Sequence, residues 1–182
     1  PNGAGKTTTV NLLTGALPAT GGEALVHGES IMHPGGMAQI RSVMGYCPQF
    51  DMLWDVLTAE EHLHLFATLK DVPAGSENIE AQRRLEQVRL ADVAKSPAGS
   101  FSGGMKRRLS VSISLIGDPR VVFLDEPTTG MDPISRRHVW DVIEEAKQDR
   151  AIILTTHSME EADILGDRIG IMAKGRLRCL GS

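Results

Sequence analysis

Apolar residues fall into short unbroken runs near both ends of the chain and into helically spaced stripes in its middle. Val121-Val122-Phe123-Leu124 is apolar at every position, the pattern of a parallel strand buried on both faces. Ala151 to Thr156 reads as another buried strand. Glu23 to His27 and Ser42 to Cys47 read as two more, joined by a Gly/Pro-rich link around Pro34-Gly35-Gly36. Arg168 to Ala173 and Arg176 to Leu180 make a hairpin about Lys174-Gly175.

Helix starts carry their own signals. Thr58-Ala59-Glu60-Glu61 is a capping box: Thr58 can accept from the amide near Glu61 while the Glu61 carboxylate reaches back. It opens a helix expected to run to about Lys70. Ser158-Met159-Glu160-Glu161 repeats that pattern for a short helix, and Asp132-Pro133 supplies an N-cap and a proline at the first helical position of one reaching about Lys147. Lys6 to Thr14, Ser76 to Leu90 and Gly103 to about Ile116 complete the helical set. Strand and helix signals alternate at both ends while the middle is helical. The expectation is a single α/β domain over residues 1–182, with its core at about 1–52 and 118–182 and a helical subdomain inserted at about 53–117.

Bulk properties narrow this little. The chain has 182 residues, 41 % hydrophobic and 23 % charged, with a formal net charge of -4, which argues against nucleic-acid binding through bulk positive charge. Cys47 and Cys179 are far apart and form no CxxC pair, as expected of structural thiols in a reduced compartment. No run approaches the roughly 18 apolar residues of a membrane span. The chain opens at Pro1 in the middle of a motif, so it is expected to be a piece of a longer protein.

That motif is Gly3-Ala4-Gly5-Lys6-Thr7-Thr8, preceded by Asn2. Glycines let backbone amides converge on phosphates, a lysine reaches the β/γ-phosphates and a hydroxyl holds magnesium, roles that Lys6 and Thr7 fill. A helix N-terminus adds its positive end. Asp125-Glu126-Pro127 follows the buried run, at the carboxyl end of a strand where ligands of open α/β sheets bind. Neighbouring side chains on a strand point to opposite faces, so the two acids are assigned separate work: Asp125 to magnesium, Glu126 to the attacking water as general base. Ser102-Gly103-Gly104-Met105 offers a second set of free amides at a helix start, and His157 ends a strand where it can donate to a phosphate oxygen. His62 and His64 point to different sides of one helix and are not expected to bind zinc. Lys106-Arg107-Arg108 reads as a solvated helix face.

Taken in order, Gly3 to Thr8, Gln49, Ser102-Gly103-Gly104, Asp125-Glu126, Gly130-Met131-Asp132 and His157 resemble the nucleotide-binding domain of an ATP-binding-cassette (ABC) protein over essentially the whole chain. The resemblance implies a P-loop NTPase core of the RecA-like kind, ATP and Mg2+ as ligands, and ATP hydrolysis. It implies two cassettes paired head to tail, ATP lying between the phosphate loop of one and the Ser102-type segment of the other. Gln49 then senses magnesium and water, His157 contacts the γ-phosphate, Asp132 links the two sites, and Phe50 to Leu57 faces the transmembrane domains. The signature departs from its usual form at Phe101 and Met105, continuing Lys106-Arg107-Arg108-Leu109-Ser110. That variant, with the closing Gly175-Arg176-Leu177-Arg178-Cys179, resembles the eukaryotic A subfamily of ABC transporters, many of which move lipids. It implies membrane domains and a second cassette in the same polypeptide, with this domain on the cytosolic face. Two other readings stay open: a soluble ABC ATPase acting on ribosomes or DNA, and a non-catalytic half of an asymmetric pair.

Overall fold

The computed structural model describes residues 3–33 and 35–182. Its sheet is three parallel strands, β3 (Met44–Cys47), β4 (Val121–Asp125) and β5 (Ala151–Thr155), in the order β3-β4-β5. Met44 pairs with Val121 and Asp125 with Thr155, so the carboxyl ends of β4 and β5 finish level. All of β4 is buried. Its alternate side chains serve two cores: Val122 and Leu124 join the larger cluster, Val121 and Phe123 the smaller one with Val10, Val26, Ile40 and Met44.

Helix α1 (Lys6–Leu13) follows the phosphate-loop sequence and seats Val10 in the smaller core. A two-residue pairing of β1 (Leu25–Val26) with β2 (Glu29–Ser30) comes next, turned at His27 and Gly28, both with positive φ. The strand expected over Glu23 to His27 is thus shorter and belongs to this small hairpin. Helix α2 (Gly36–Val43) occupies ground expected as link and strand, so only Met44 onward is extended. The reason lies in packing: Met37 and Ile40 lie one turn apart on one helical face against the smaller core, and Ile40 is fully buried.

The middle of the chain is helical as expected: α3 (Ala59–Leu69), α4 (Glu77–Gln87) and α5 (Gly103–Ser114). Thr58 makes the complete capping box, its Oγ1 accepting from Glu61 N at 3.1 Å while Glu61 Oε2 accepts from Thr58 N at 2.8 Å. Leu63, Leu85, Leu109 and Val111 fill the larger core, which continues without a break through β4 to Val139 and Trp140 of α6 (Pro133–Ala146). Strand β3 presses so closely on α5 that a Cβ at Gly45 would overlap the Ser114 carbonyl oxygen.

The chain ends with α7 (Met159–Leu165) and a hairpin of β6 (Ile169–Ala173) and β7 (Arg176–Gly181). Strand β5 is not buried as its composition suggested. Among the described residues it pairs only with β4, and Ala151 and Ile153 are exposed.

Candidate functional site

Gly3 and Gly5 adopt φ of 70° and 100°, the left-handed region open to glycine, which bends the loop over the first turn of α1. Gly5 is the N-cap of α1 and supplies no side-chain cap, leaving the opening amides to a ligand. Gly5 also sits where a Cβ would come within 3.3 Å of Gly175 Cα, and Gly175 N donates to Ala4 O at 2.9 Å. The turn of the final hairpin therefore braces the loop. Thr7 is half-buried and Thr8 exposed on α1; Asn2 lies outside the described residues.

At the level ends of β4 and β5 the two carboxylates meet different partners, Glu126 lying one residue past the end of β4. Asp125 is fully buried, and one of its oxygens accepts from the Thr155 hydroxyl while Oδ2 has no hydrogen-bond partner. A buried carboxylate oxygen left over in this way suits a hard cation or its water. Glu126 turns the other way. Its φ of 48° is unusual for a residue with a side chain, and its N–H is held by Thr155 O at 3.0 Å and Thr155 Oγ1 at 3.1 Å.

Glu126 is the meeting point of the site. Lys6 Nζ is 3.3 Å from Oε1; Thr129 Oγ1 donates to Oε2 at 3.1 Å, Gln49 Nε2 at 3.4 Å, and His157 Nδ1 lies 3.3 Å away. Burial alone raises the Glu126 pKa, but the hydrogen bonds from Lys6 and Thr129 and the charges of Lys6 and His157 outweigh it and hold the carboxyl below the ordinary glutamate range. The carboxylate is thus ionised at neutral pH, able to accept a hydrogen bond from water and to orient it.

The signature segment lies apart from this cluster. Ser102 caps α5 by accepting from Met105 N at 3.3 Å, and Ser102 and Gly103 are exposed with Gly104 and Met105 half-buried beside them. Asp132 caps α6, accepting from Ile134 N and Ser135 N at 3.0 Å each, which draws its carboxyl below the usual range. Gly104 packs on that cap: a Cβ there would meet Ser135 Oγ at 2.8 Å.

Two expectations change. The cationic run at 106–108 is no solvated face. Arg107 is 5 % exposed and donates to the carbonyls of Pro48, Gln49, Asp125, Glu126 and Pro127; Arg108 donates to Val88 O and Arg89 O, and Lys106 to Asp55. The signal was available, because helical spacing puts Arg107 on one face with Ser110, Val111 and Ser114, all buried. Second, the capping box at Ser158 is only half made. Ser158 accepts from Glu161 N, but the Glu161 side chain, 1 % exposed, turns inward to accept from Thr128 Oγ1 at 2.6 Å and Trp140 Nε1 at 3.0 Å. His62 also has a definite structural part: its Nδ1 donates to Thr58 O at 2.8 Å and its Nε2 accepts from Trp54 N at 3.0 Å. No group of three or more metal-ligating side chains occurs among the described residues.

The ABC transporter family model matches residues 1–129. Over 182 residues the chain is 67 % identical to ABC transporter A family member 2 of Arabidopsis thaliana and 66 % identical to member 11, all of this chain being aligned. Member 7 is 53 % identical over 184 aligned positions. The chain spans only 18 %, 19 % and 20 % of these relatives. Among solved structures, an ATP-binding subunit of an ABC transporter superposes with a TM-score of 0.88 at 28 % identity, covering all of this chain and 75 % of that one. A dimeric post-hydrolysis structure of an ATP-binding cassette bound to ADP and Pi gives the same TM-score at 22 % identity, over all of this chain and 82 % of that one, a likeness of fold.

Proposed function

The chain belongs to the ABC transporter family, and from that premise we propose that it is the ATP-hydrolysing cassette of an A-type transporter, working with a second cassette. The observation that carries the reading is the Glu126 carboxylate, reached by Lys6, Gln49, Thr129 and His157 from four separate segments. ATP is taken by the loop Asn2 to Thr8, with Lys6 on the β/γ-phosphates and the opening amides of α1 on their oxygens. Thr7, Asp125 and Gln49 are the residues suited to Mg2+, the leftover Asp125 Oδ2 being the oxygen that favours this. When bound, the ion neutralises charge on the transferring phosphoryl group.

Once phosphate draws Lys6 away, Glu126 is left to orient the attacking water, and His157 steadies the γ-phosphate. Preorganised charge, more than covalent chemistry, lowers the barrier. The exposed Ser102 and Gly103, with Gly104 and Met105 half-buried beside them, complete the site of the partner cassette, with Asp132 between the two sites. The core at about 1–52 and 118–182 carries the chemistry and the helical subdomain at about 53–117 carries the signature.

Phe50, Met52, Trp54 and Val56 are 78 %, 74 %, 50 % and 82 % exposed, an alternating apolar strip suited to bury against transmembrane domains. No described helix is long and apolar enough to cross a membrane, so the spans belong to other segments. A lipid is the substrate class this reading carries, with both cassettes in one polypeptide, the domain on the cytosolic face, and no nucleic acid as partner. The experiment is Glu126→Gln in the full-length protein: ATP binding is retained and turnover falls by on the order of a hundredfold or more. Unchanged hydrolysis overturns the assignment of the base.

A further inference from the structure

Building on the proposed function, we infer that Arg107 is the positioning residue that transmits the nucleotide state from the end of β4 to the membrane-facing strip at 50–57. Its guanidinium lies between the two. On one side Nε donates to Pro127 O at 2.7 Å and Nη2 to Asp125 O at 3.0 Å and Glu126 O at 3.3 Å. On the other, Nη1 donates to Pro48 O at 2.6 Å, Gln49 O at 3.4 Å and Asp51 Oδ1 at 3.1 Å. One buried side chain thus holds the backbone on both flanks of the water-orienting carboxylate and the backbone of the residue that senses it.

The planar fork of arginine is what allows this. Its N–H groups diverge in fixed directions, whereas a lysine presents all its donors at one point and cannot reach both carbonyl sets. Arg107 also rides on α5, whose first turn presents the exposed signature at Ser102 and Gly103. Neighbouring contacts extend the hold along the strip: Lys106 Nζ to Asp55 Oδ1 at 2.8 Å, Gly99 N to Asp55 O at 3.0 Å, and Trp54 N to His62 Nε2 at 3.0 Å. Leu53 faces inward onto the larger core while Phe50, Met52, Trp54 and Val56 face outward. A shift of the β4 turn on nucleotide binding therefore reaches the strip through Arg107, which acts through the backbone and the Asp51 carboxylate that it holds.

The test uses the full-length protein in detergent, with MgATP as the ligand and amide hydrogen exchange of 49–57 as the readout of transmission. Native protein shows an ATP-dependent change in that exchange. Arg107→Lys keeps KM for ATP within about threefold, lowers kcat about tenfold or more, and loses the ATP-dependent change at 49–57. Asp51→Asn, which leaves every backbone contact of Arg107 in place, reduces the change in the same direction and decides the matter should Arg107→Lys fail to fold. A native-like exchange response in either folded variant overturns the inference. So does a kcat loss in Arg107→Lys matched by an equal loss of ATP affinity and melting temperature, since that marks general damage. Native protein that does not hydrolyse ATP sinks the proposed function instead, which separates the two failures.

Discussion

Lys6 Nζ stands 3.3 Å from Glu126 Oε1, with both side chains largely buried. The cation assigned to the phosphates and the carboxylate assigned to water neutralise each other across the site. On the roles proposed above, phosphate binding exchanges this pair for a stronger one and releases Glu126 toward water. In those roles the lysine acts twice in sequence, restraining the carboxylate and then uncovering it.

Lys6→Met removes both. ATP affinity is expected to fall by about tenfold or more, because a hydrogen bond to a charged group contributes about 1.5–3 kcal/mol and about 1.4 kcal/mol is a factor of ten. Equilibrium binding of a fluorescent ATP analogue measures it, and native affinity in the variant contradicts the phosphate role.

Acid unfolding follows from the Glu126 carboxyl, whose folded pKa is depressed. Its stabilising contribution is complete above the unfolded value of about 4.3 and is lost as pH falls through the lower folded value. Glu126→Gln therefore has a melting temperature less dependent on pH below about 5 than the native protein. Calorimetry across that range checks the slope, and parallel curves exclude the effect.

Glu161 links Thr128, just past Glu126, with Trp140 of α6 and with α7, which begins after His157. Glu161→Ala leaves a buried hydroxyl and an indole N–H without an acceptor, for a loss on the order of 3 kcal/mol. Glu161→Gln keeps an acceptor oxygen of the same shape and loses less. Denaturant unfolding ranks the two, and equal losses would contradict the hydrogen-bond explanation.

Gly45→Ala tests the packing of the sheet against the signature helix. The added methyl overlaps the Ser114 carbonyl, so β3 or α5 must move. Overpacking of this kind costs about 1–3 kcal/mol or more, and the folded protein should also lose turnover because Gln49 follows directly from β3. A variant with native stability and turnover contradicts this close approach.

Local signals explain what was legible in the sequence. Thr58 with Glu61, Asp132 with Pro133 and the apolar run before Asp125 each carry their meaning within a few residues, and each sits where its chemistry demanded. The meeting of Lys6, Gln49, Glu126 and His157 was inferred from order and resemblance, and the fold brings those side chains together. What stayed hidden depends on distant partners. Arg107 is satisfied mostly by backbone carbonyls, which leave no mark in a sequence, so three successive cations looked like surface. Glu161 matched a local cap but found Thr128 and Trp140 through the fold. Helix α2 was masked by the glycines at its start, since tertiary burial of Ile40 outweighed local propensity.

The bond from Gly175 N to Ala4 O joins the nucleotide loop to the last hairpin of the chain. Such a contact spans nearly the whole sequence, the kind that forms late because so much chain must first be ordered. During synthesis, the loop leaves the ribosome well before the brace does. The phosphate cradle is therefore finished only when everything between them has emerged, so an interrupted chain carries the nucleotide sequence without a completed place to hold it.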